Sequence, residues 1–109
     1  MTLSVDNSER LFQAKVIQIA KMNGWLVFHA RRSQGVDGKW YTAVQGDVGF
    51  PDLVMAHKTR GVIYAELKAP RGRVEQTQKR WIETLDLAGA EAYIWYPKDL
   101  DTIAKRLGA

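Results

Sequence analysis

The chain has only three prolines in 109 residues and no cysteine. The absence of cysteine excludes two kinds of structure. Without cysteine there can be neither a disulfide framework nor a thiolate metal site. No apolar run approaches the roughly 20 residues that a helix needs to cross a bilayer. Residues 1–6 also lack the basic and apolar regions of a signal peptide. We therefore expect a cytoplasmic, intracellular protein without membrane association.

The composition is that of one globular domain. A hydrophobic content of 46% with 26% charged residues is typical of a folded protein and not of a disordered chain. A length of 109 residues allows one hydrophobic core and no second lobe. We expect a single domain over residues 1–109.

Positive charge is concentrated in the middle of the chain. The net charge is +4, yet ten basic and only five acidic residues lie between positions 30 and 80. Basic residues gathered around a few acids are typical of a protein that holds a polyanion. The alternative interpretation is an ordinary solvated surface.

Hydrophobic periodicity predicts a mixed α/β fold. Apolar residues at helical spacing predict a first helix over residues 8–23, with Leu11, Phe12, Val16, Ile19 and Met22 on its buried side and Gly24 at its end. Strands are predicted over residues 25–30, 52–56, 61–68 and 92–96, with a possible short strand at 40–44, and further helices over 75–88 and 98–107. The order αβ(β)ββαβα predicts a small mixed sheet flanked by helices.

Two of these strands form a predicted antiparallel hairpin around the polar turn at residues 57–60. Their nearly continuous apolar content indicates strands that are buried on both faces. Trp25, Trp81 and Trp95 are predicted core residues.

The hairpin carries three charged residues that suit a metal site. Glu66 and Lys68 share one face of their strand because side chains alternate. If the register places Asp52 beside Glu66, the two carboxylates repel and one pKa rises unless a divalent cation compensates. Mg²⁺ prefers such oxygen ligands, and the main-chain carbonyl of Leu67 can supply another. The pattern predicts phosphodiester hydrolysis, with Lys68 orienting a water or stabilising developing negative charge.

A simpler interpretation of the same residues also exists. Glu66 and Lys68 would then lie on an exposed hairpin edge as a surface ion pair, which is common for an isolated Glu-x-Lys triplet. His29 and His57 are not expected as metal ligands, since one lies on a strand without a nearby acid and the other in a polar turn.

Several short pieces taken together resemble the VRR-NUC domain, a small branch of the PD-(D/E)xK nuclease superfamily. The matching pieces are Ser8 with Glu9, residues 49–53, Glu66 to Lys68, and Gln78 with Trp81. They occur in the right order and, with the last strand, extend to Tyr96. The resemblance implies a restriction-endonuclease-like core, dependence on Mg²⁺ or Mn²⁺, and cleavage of DNA.

The resemblance also implies roles for individual residues. Asp52, Glu66 and Glu9 would bind the metal, Lys68 would be catalytic, and Gln78 would complete the pocket. From the residues alone, Glu9 is equally explained as a carboxylate favoured near a helix N-terminus, and Gln78 as a helix-surface residue.

The substrate and the assembly are expected by the same analogy. Small stand-alone members of the family look like phage-type proteins, and some relatives act on branched DNA. A homodimer that places two sites on one Holliday junction is therefore expected. A nicking or flap-type nuclease, or a catalytically silent DNA-binding module, are the alternatives.

Five basic residues are candidate DNA contacts: Arg31, Arg32, Lys39, Arg71 and Arg73. Arg31 and Arg32 precede the polar segment at residues 33–48, which is longer than the fold needs, and Lys39 lies within it. Arg71 and Arg73 follow the Glu-x-Lys strand. The alternative for Arg71 and Arg73 is a solvated turn. Trp40 and Tyr41 could stack on unpaired bases, support a dimer, or cover the core.

Overall fold

A computed structural model describes residues 5–29, 33–34, 40–41 and 45–108, with side chains over 8–29 and 45–108. The described helices are α1 (Val5–Met22), α2 (Gln76–Leu87) and α3 (Leu100–Leu107), with a 3₁₀ turn at Pro97–Asp99. The strands are β1 (Leu26–His29), β2 (Ser33–Gln34), β3 (Trp40–Tyr41), β4 (Leu53–His57), β5 (Gly61–Leu67) and β6 (Glu91–Trp95). The predicted α/β fold is confirmed, and the possible strand at 40–44 corresponds to β3, which pairs with β2.

The main sheet is mixed. Within the described part of the chain its strand order is β1-β4-β5-β6. The first two pairings are antiparallel, which confirms the hairpin, and the pairing of β5 with β6 is parallel, with α2 as the crossover. This arrangement is consistent with a restriction-endonuclease-like core. Across the described ranges, no helix is long and apolar enough to span a membrane.

One face of the sheet packs against α1 and α3. The core of described residues includes Phe12, Val16, Ala20, Trp25, Leu53, Met55, Ile63, Ala65, Leu67, Trp95, Ile103 and Leu107. The predicted α1 stripe is wrong at its margins, because Leu11 and Met22 are exposed while Ile17 packs against the core. The contact face follows the i, i+4 series of Phe12, Val16 and Ala20, with Ile17 and Ile19 packed partly beside it.

The opposite face is covered only in part. Helix α2 packs on β6 and β5 and has no fully buried residue, so the prediction of Trp81 as a core residue is wrong. Leu26, Phe28 and Val62 are exposed on the uncovered side. The expectation of strands buried on both faces is therefore wrong for β4 and for the first half of β5. Continuous burial occurs over residues 65–69, beside α2.

The C-terminus of α3 is tied to the rest of the core. The Arg60 guanidinium donates hydrogen bonds of 2.8 Å to the main-chain carbonyls of Arg106 and of Leu107. The Trp25 indole N–H donates to the same Leu107 carbonyl at 2.9 Å. Because these carbonyls have no intrahelical partner at a helix end, Arg60 caps α3 and holds it against the hairpin turn.

Candidate active site

The hairpin register brings Asp52 next to Glu66. Leu53 pairs with Ala65 in the antiparallel ladder, so one step further along β5 lies Glu66 and one step back from β4 lies Asp52. Directly opposed side chains in such a pair lie on the same face of the sheet. Besides burial, the negative charge of Asp52 contributes to the raised pKa of Glu66. The observed register therefore brings the two acids together, which was the condition for the predicted metal site.

Pro51 explains why the ladder stops beside Asp52. The same register places Pro51 opposite Leu67, and proline has no N–H to donate to the Leu67 carbonyl. The Leu67 N–H donates instead to Asp52 Oδ2 at 2.8 Å. The next residue, Lys68, donates its main-chain N–H to Trp95 on the β6 side. Along a strand, the main-chain N–H and C=O groups of successive residues point towards alternate neighbouring strands. The Leu67 carbonyl therefore points towards Asp52 and not towards β6.

The Gln78 amide connects Glu66 with Lys68. The Lys68 ammonium donates to Gln78 Oε1 at 2.7 Å, and Gln78 Nε2 donates to Glu66 Oε2 at 3.0 Å. Gln78 Oε1 also accepts the Glu75 main-chain N–H at 2.9 Å, in a capping box at the start of α2. Both partners of Oε1 are donors and the partner of Nε2 is an acceptor, so only one orientation of the amide satisfies all three bonds.

The charged residues of the site are buried. Glu66 is 1% exposed and Lys68 is 8% exposed. The interpretation of Glu66 and Lys68 as an exposed surface ion pair is therefore wrong. Burial, followed by repulsion from Asp52, raises the pKa of Glu66 from its ordinary 4.5 to about 8, although Lys68 acts in the opposite direction.

One oxygen of the pair has no protein partner. Glu66 Oε1 is buried without a hydrogen bond from the described residues. Two ionised carboxylates cannot bond to each other, since neither carries a proton to donate. A proton held between Asp52 and Glu66, a bound water or a bound cation could each satisfy this oxygen.

These residues fit a divalent cation. Two adjacent carboxylates, a buried oxygen without a partner and a main-chain carbonyl on the same side are hard oxygen donors. The protein ligands are few: within residues 8–29 and 45–108, no three or more His, Cys, Asp or Glu side chains are grouped so that they could hold a metal together. Water and phosphate oxygens would have to complete the coordination, which is the usual arrangement for Mg²⁺.

Glu9 does not form a three-carboxylate cluster with Asp52 and Glu66. It is half-buried near the start of α1, and its role in the site stays a prediction. Arg71 and Arg73 are exposed directly after β5, around the turn in which the Gly72 N–H bonds the Ala69 carbonyl. Their contact with DNA is likewise still a prediction.

Arg31, Arg32 and Lys39 lie outside the described residues, so their predicted DNA contacts have no structural counterpart here. For Trp40 and Tyr41 only the β3 backbone is described. The His57 ring lies 5.2 Å from the Trp25 ring, tilted by 58°, and is not part of the carboxylate site.

Sequence reasoning missed the contact between α2 and the segment at residues 47–50. The Trp81 indole N–H donates to the Asp47 carbonyl at 3.3 Å, and the Phe50 ring packs edge-on against Trp81 at 5.0 Å. The Gly49 backbone lies against the main chain of Thr77 and Gln78. The available signal was a glycine three residues before Asp52 and a tryptophan three residues after Gln78, but neither spacing indicates a contact between them.

A mixed sheet whose hairpin brings together Pro-Asp and Glu-x-Lys defines the PD-(D/E)xK class of nucleases. The sequence profile of the VRR-NUC domain matches residues 13–98. The chain belongs to the VRR-NUC family, within that superfamily, and the resemblance is confirmed. Glu9 lies before the matched range. A comparison with curated proteins found no match. Membership implies nuclease activity on DNA, and nucleases of this superfamily generally use a divalent metal.

Proposed function

We propose that this protein is a metal-dependent DNA endonuclease built from a single domain, in which Asp52, Glu66 and the Leu67 carbonyl hold Mg²⁺ or Mn²⁺. The observation that carries the proposal is the buried Glu66 carboxylate beside Asp52, one oxygen of which has no hydrogen-bond partner among the residues that the structure describes. Burying a charge that has only a structural role lowers the stability of the folded protein. Replacing a buried ion pair by apolar residues of similar size often leaves the protein at least as stable. A metal function accounts for that cost.

The chain contributes three actions to hydrolysis. Asp52 and Glu66 hold a cation next to the phosphate, and when bound that cation compensates negative charge and makes a water more acidic. Lys68 has three N–H donors and uses one of them on Gln78, so it can still donate to a phosphate oxygen or to the attacking water. Gln78 holds the ammonium in place, which limits the geometries that Lys68 can adopt.

For the substrate, we propose branched DNA cut by a homodimer. One chain supplies one Asp52–Glu66 site, whereas resolution of a four-way junction requires two symmetric cuts and hence two sites. The excess of basic residues over positions 30–80 supports contact with a polyanion, and exposed Arg71 and Arg73 follow the site directly. The alternative, a nicking or flap-type nuclease, needs only one site for each cut.

A catalytically silent DNA-binding module is disfavoured by the site itself. Carboxylates that face a phosphate backbone without a cation repel it, so a protein that only binds DNA gains nothing from Asp52 and Glu66. The Lys68–Gln78–Glu66 hydrogen bonds also fix charged groups with a precision that simple phosphate binding does not need.

A cleavage panel tests these proposals together. Labelled four-way junction, flap, nicked duplex and single-stranded DNA are incubated with the protein in Mg²⁺ or Mn²⁺, with EDTA as the control. Paired symmetric cuts in the junction support the resolvase proposal, and single cuts in flap or nicked DNA support the alternative. Binding without cleavage in either metal would contradict the endonuclease proposal and favour the silent module.

A further inference from the structure

We infer that Gly49 is a positioning residue of the proposed active site: its lack of a side chain sets the place of Gln78 and, through Gln78, of the Lys68 ammonium. The inference rests on the proposed nuclease function for its catalytic consequence. Its structural part, the dependence of Gln78 on Gly49, can be measured without cleavage.

The first observation is the closeness of Gly49 to the start of α2. A Cβ atom at position 49 would lie 2.6 Å from the Thr77 carbonyl carbon, 2.7 Å from its oxygen and 2.8 Å from the Gln78 nitrogen. These are main-chain atoms in the first turn of a helix, so no side-chain rotation can relieve the overlap. Ordinary contact between carbons is about 3.5–4.0 Å, and a side chain here would displace the start of α2 by roughly 1 Å.

The second observation is that α2 holds the same segment at two further points. The Asp47 carbonyl accepts the Trp81 indole N–H, and the Phe50 ring packs against Trp81. Phe50 also packs edge-on against Tyr64 of β5, at 6.1 Å between ring centroids. The segment before Asp52 is therefore fixed between the sheet and α2, and it can yield little to a displacement.

The consequence concerns the two short hydrogen bonds of Gln78. A shift of roughly 1 Å in the first turn of α2 would lengthen the 2.7 Å bond from Lys68 and the 3.0 Å bond to Glu66 beyond the range of a hydrogen bond. The Lys68 ammonium, which already pairs with Glu66 Oε2 at 3.4 Å, would then lose its shorter contact with Gln78 and could move closer to Glu66. Such a pair occupies the carboxylate that the proposed metal requires.

Gly46 supplies a matched control. Its φ is +97° and that of Gly49 is +96°, so an alanine at either position bears the same backbone strain. Among the described residues, apart from Gly46 and its two chain neighbours, no heavy atom lies within 4 Å of a Cβ built on Gly46. The difference between Gly49→Ala and Gly46→Ala therefore isolates the contact with α2.

The first readout is the side-chain amide of Gln78 in ¹H–¹⁵N spectra of the metal-free protein. Its two cross-peaks are assigned by their absence in Gln78→Ala. We expect them to move towards the positions of a solvated amide in Gly49→Ala and to stay in place in Gly46→Ala. If Gly49→Ala does not fold, Trp81→Phe, which removes the bond to Asp47 and reduces the ring contact with Phe50, should move the same peaks by a smaller amount. Unmoved peaks in the variant that folds would overturn the inference.

The second readout is a kinetic double-mutant cycle on a DNA that the wild type cuts. We expect Gly49→Ala to lower kcat by about tenfold or more with little change in KM, and Gly46→Ala to stay within about twofold of wild type. The Gly49→Ala/Gln78→Ala double variant should be no slower than the slower single variant, because both changes act on one contact. Multiplicative losses would overturn the inference. A wild type that cuts no DNA would instead contradict the proposed function, while the spectral result would still decide the structural part.

Discussion

The Lys68 ammonium lies closer to Gln78 than to its ion-pair partner Glu66: Nζ is 2.7 Å from Gln78 Oε1 and 3.4 Å from Glu66 Oε2. A lysine that only neutralised a buried acid would be expected to make its shortest contact with that acid. Here a neutral amide holds the ammonium, and a donor remains for another oxygen. This relationship supports the proposed chemical role of Lys68, which remains a prediction.

Replacing Lys68 should therefore damage turnover more than metal binding. We expect Lys68→Met to lower kcat by about 10²–10³-fold, because it removes a donor aimed at developing negative charge. The rise in Tm on addition of Mg²⁺ should persist, since Asp52 and Glu66 remain. Lys58→Met, in the exposed hairpin turn, is the matched control and should have the wild-type rate. Equal losses of turnover and of the metal-dependent rise in Tm would argue against this role.

Asp52 should be required for stabilisation by metal. A ligand that binds only the folded state raises the free energy of unfolding, so Mg²⁺ should raise the Tm of the wild type. In Asp52→Asn this rise should disappear, although an asparagine oxygen can still accept the Leu67 N–H bond. Asp47→Asn is the control, because Asp47 is exposed and its hydrogen bond with α2 uses the main-chain carbonyl, which the substitution keeps. A wild-type rise in Asp52→Asn would remove Asp52 from the metal site.

The metal-free protein should lose stability as the pH rises. In the folded state the pKa of Glu66 is raised to about 8 from an ordinary 4.5, so the folded protein binds a proton more tightly than the unfolded chain does. The stability linked to that proton is present below pH 4.5 and is lost as the pH rises towards 8. We expect the free energy of unfolding in EDTA to fall across this interval.

Glu66→Gln isolates this effect. The variant cannot ionise, so at pH 9 in EDTA it should be more stable than the wild type, by on the order of 2 kcal/mol. Denaturant unfolding at pH 6 and pH 9 measures the difference. Glu83→Gln, on the exposed side of α2, should leave the wild-type pH dependence unchanged. If the stability of Glu66→Gln falls with pH as steeply as that of the wild type, Glu66 is not the group responsible for the pH dependence.

Arg60 should matter for stability and not for catalysis. It bonds two main-chain carbonyls at the end of α3 and lies 5.8 Å from the Trp25 ring centroid. We expect Arg60→Met to lower the free energy of unfolding by about 1–3 kcal/mol, because the two hydrogen bonds that the charged guanidinium donates are lost. The cleavage rate below the melting transition should not change. Lys105→Met, exposed on α3, is the control; a comparable loss of stability there would show that charge alone is responsible.

The part of the site that could be predicted depends on local geometry. Alternation along β5 puts Glu66 and Lys68 on one face, and a short hairpin turn leaves few registers for Asp52. The helices and strands follow from apolar periodicity and from glycines such as Gly24, whose φ of +85° ends α1.

The remainder depends on how elements pack, which periodicity does not specify. Leu11 lies on the predicted apolar side of α1 but is exposed, since the core contacts of the helix are centred on the series through Val16. Helix α2 covers only part of the sheet, so Trp81 is half-buried. The bond between Gln78 and Lys68 joins residues ten positions apart, and the contact of Gly49 with Thr77 spans a larger separation. No local pattern encodes such distances.

The most direct test of the two-carboxylate metal site is the initial rate of Mg²⁺-dependent cleavage by wild type, Asp52→Asn and Glu66→Gln. All three should be compared at equal concentrations of folded protein, on the DNA that the wild type cuts fastest. We predict that each variant loses about 10²-fold or more in rate while still binding that DNA. Cleavage at the wild-type rate by either variant would contradict the account.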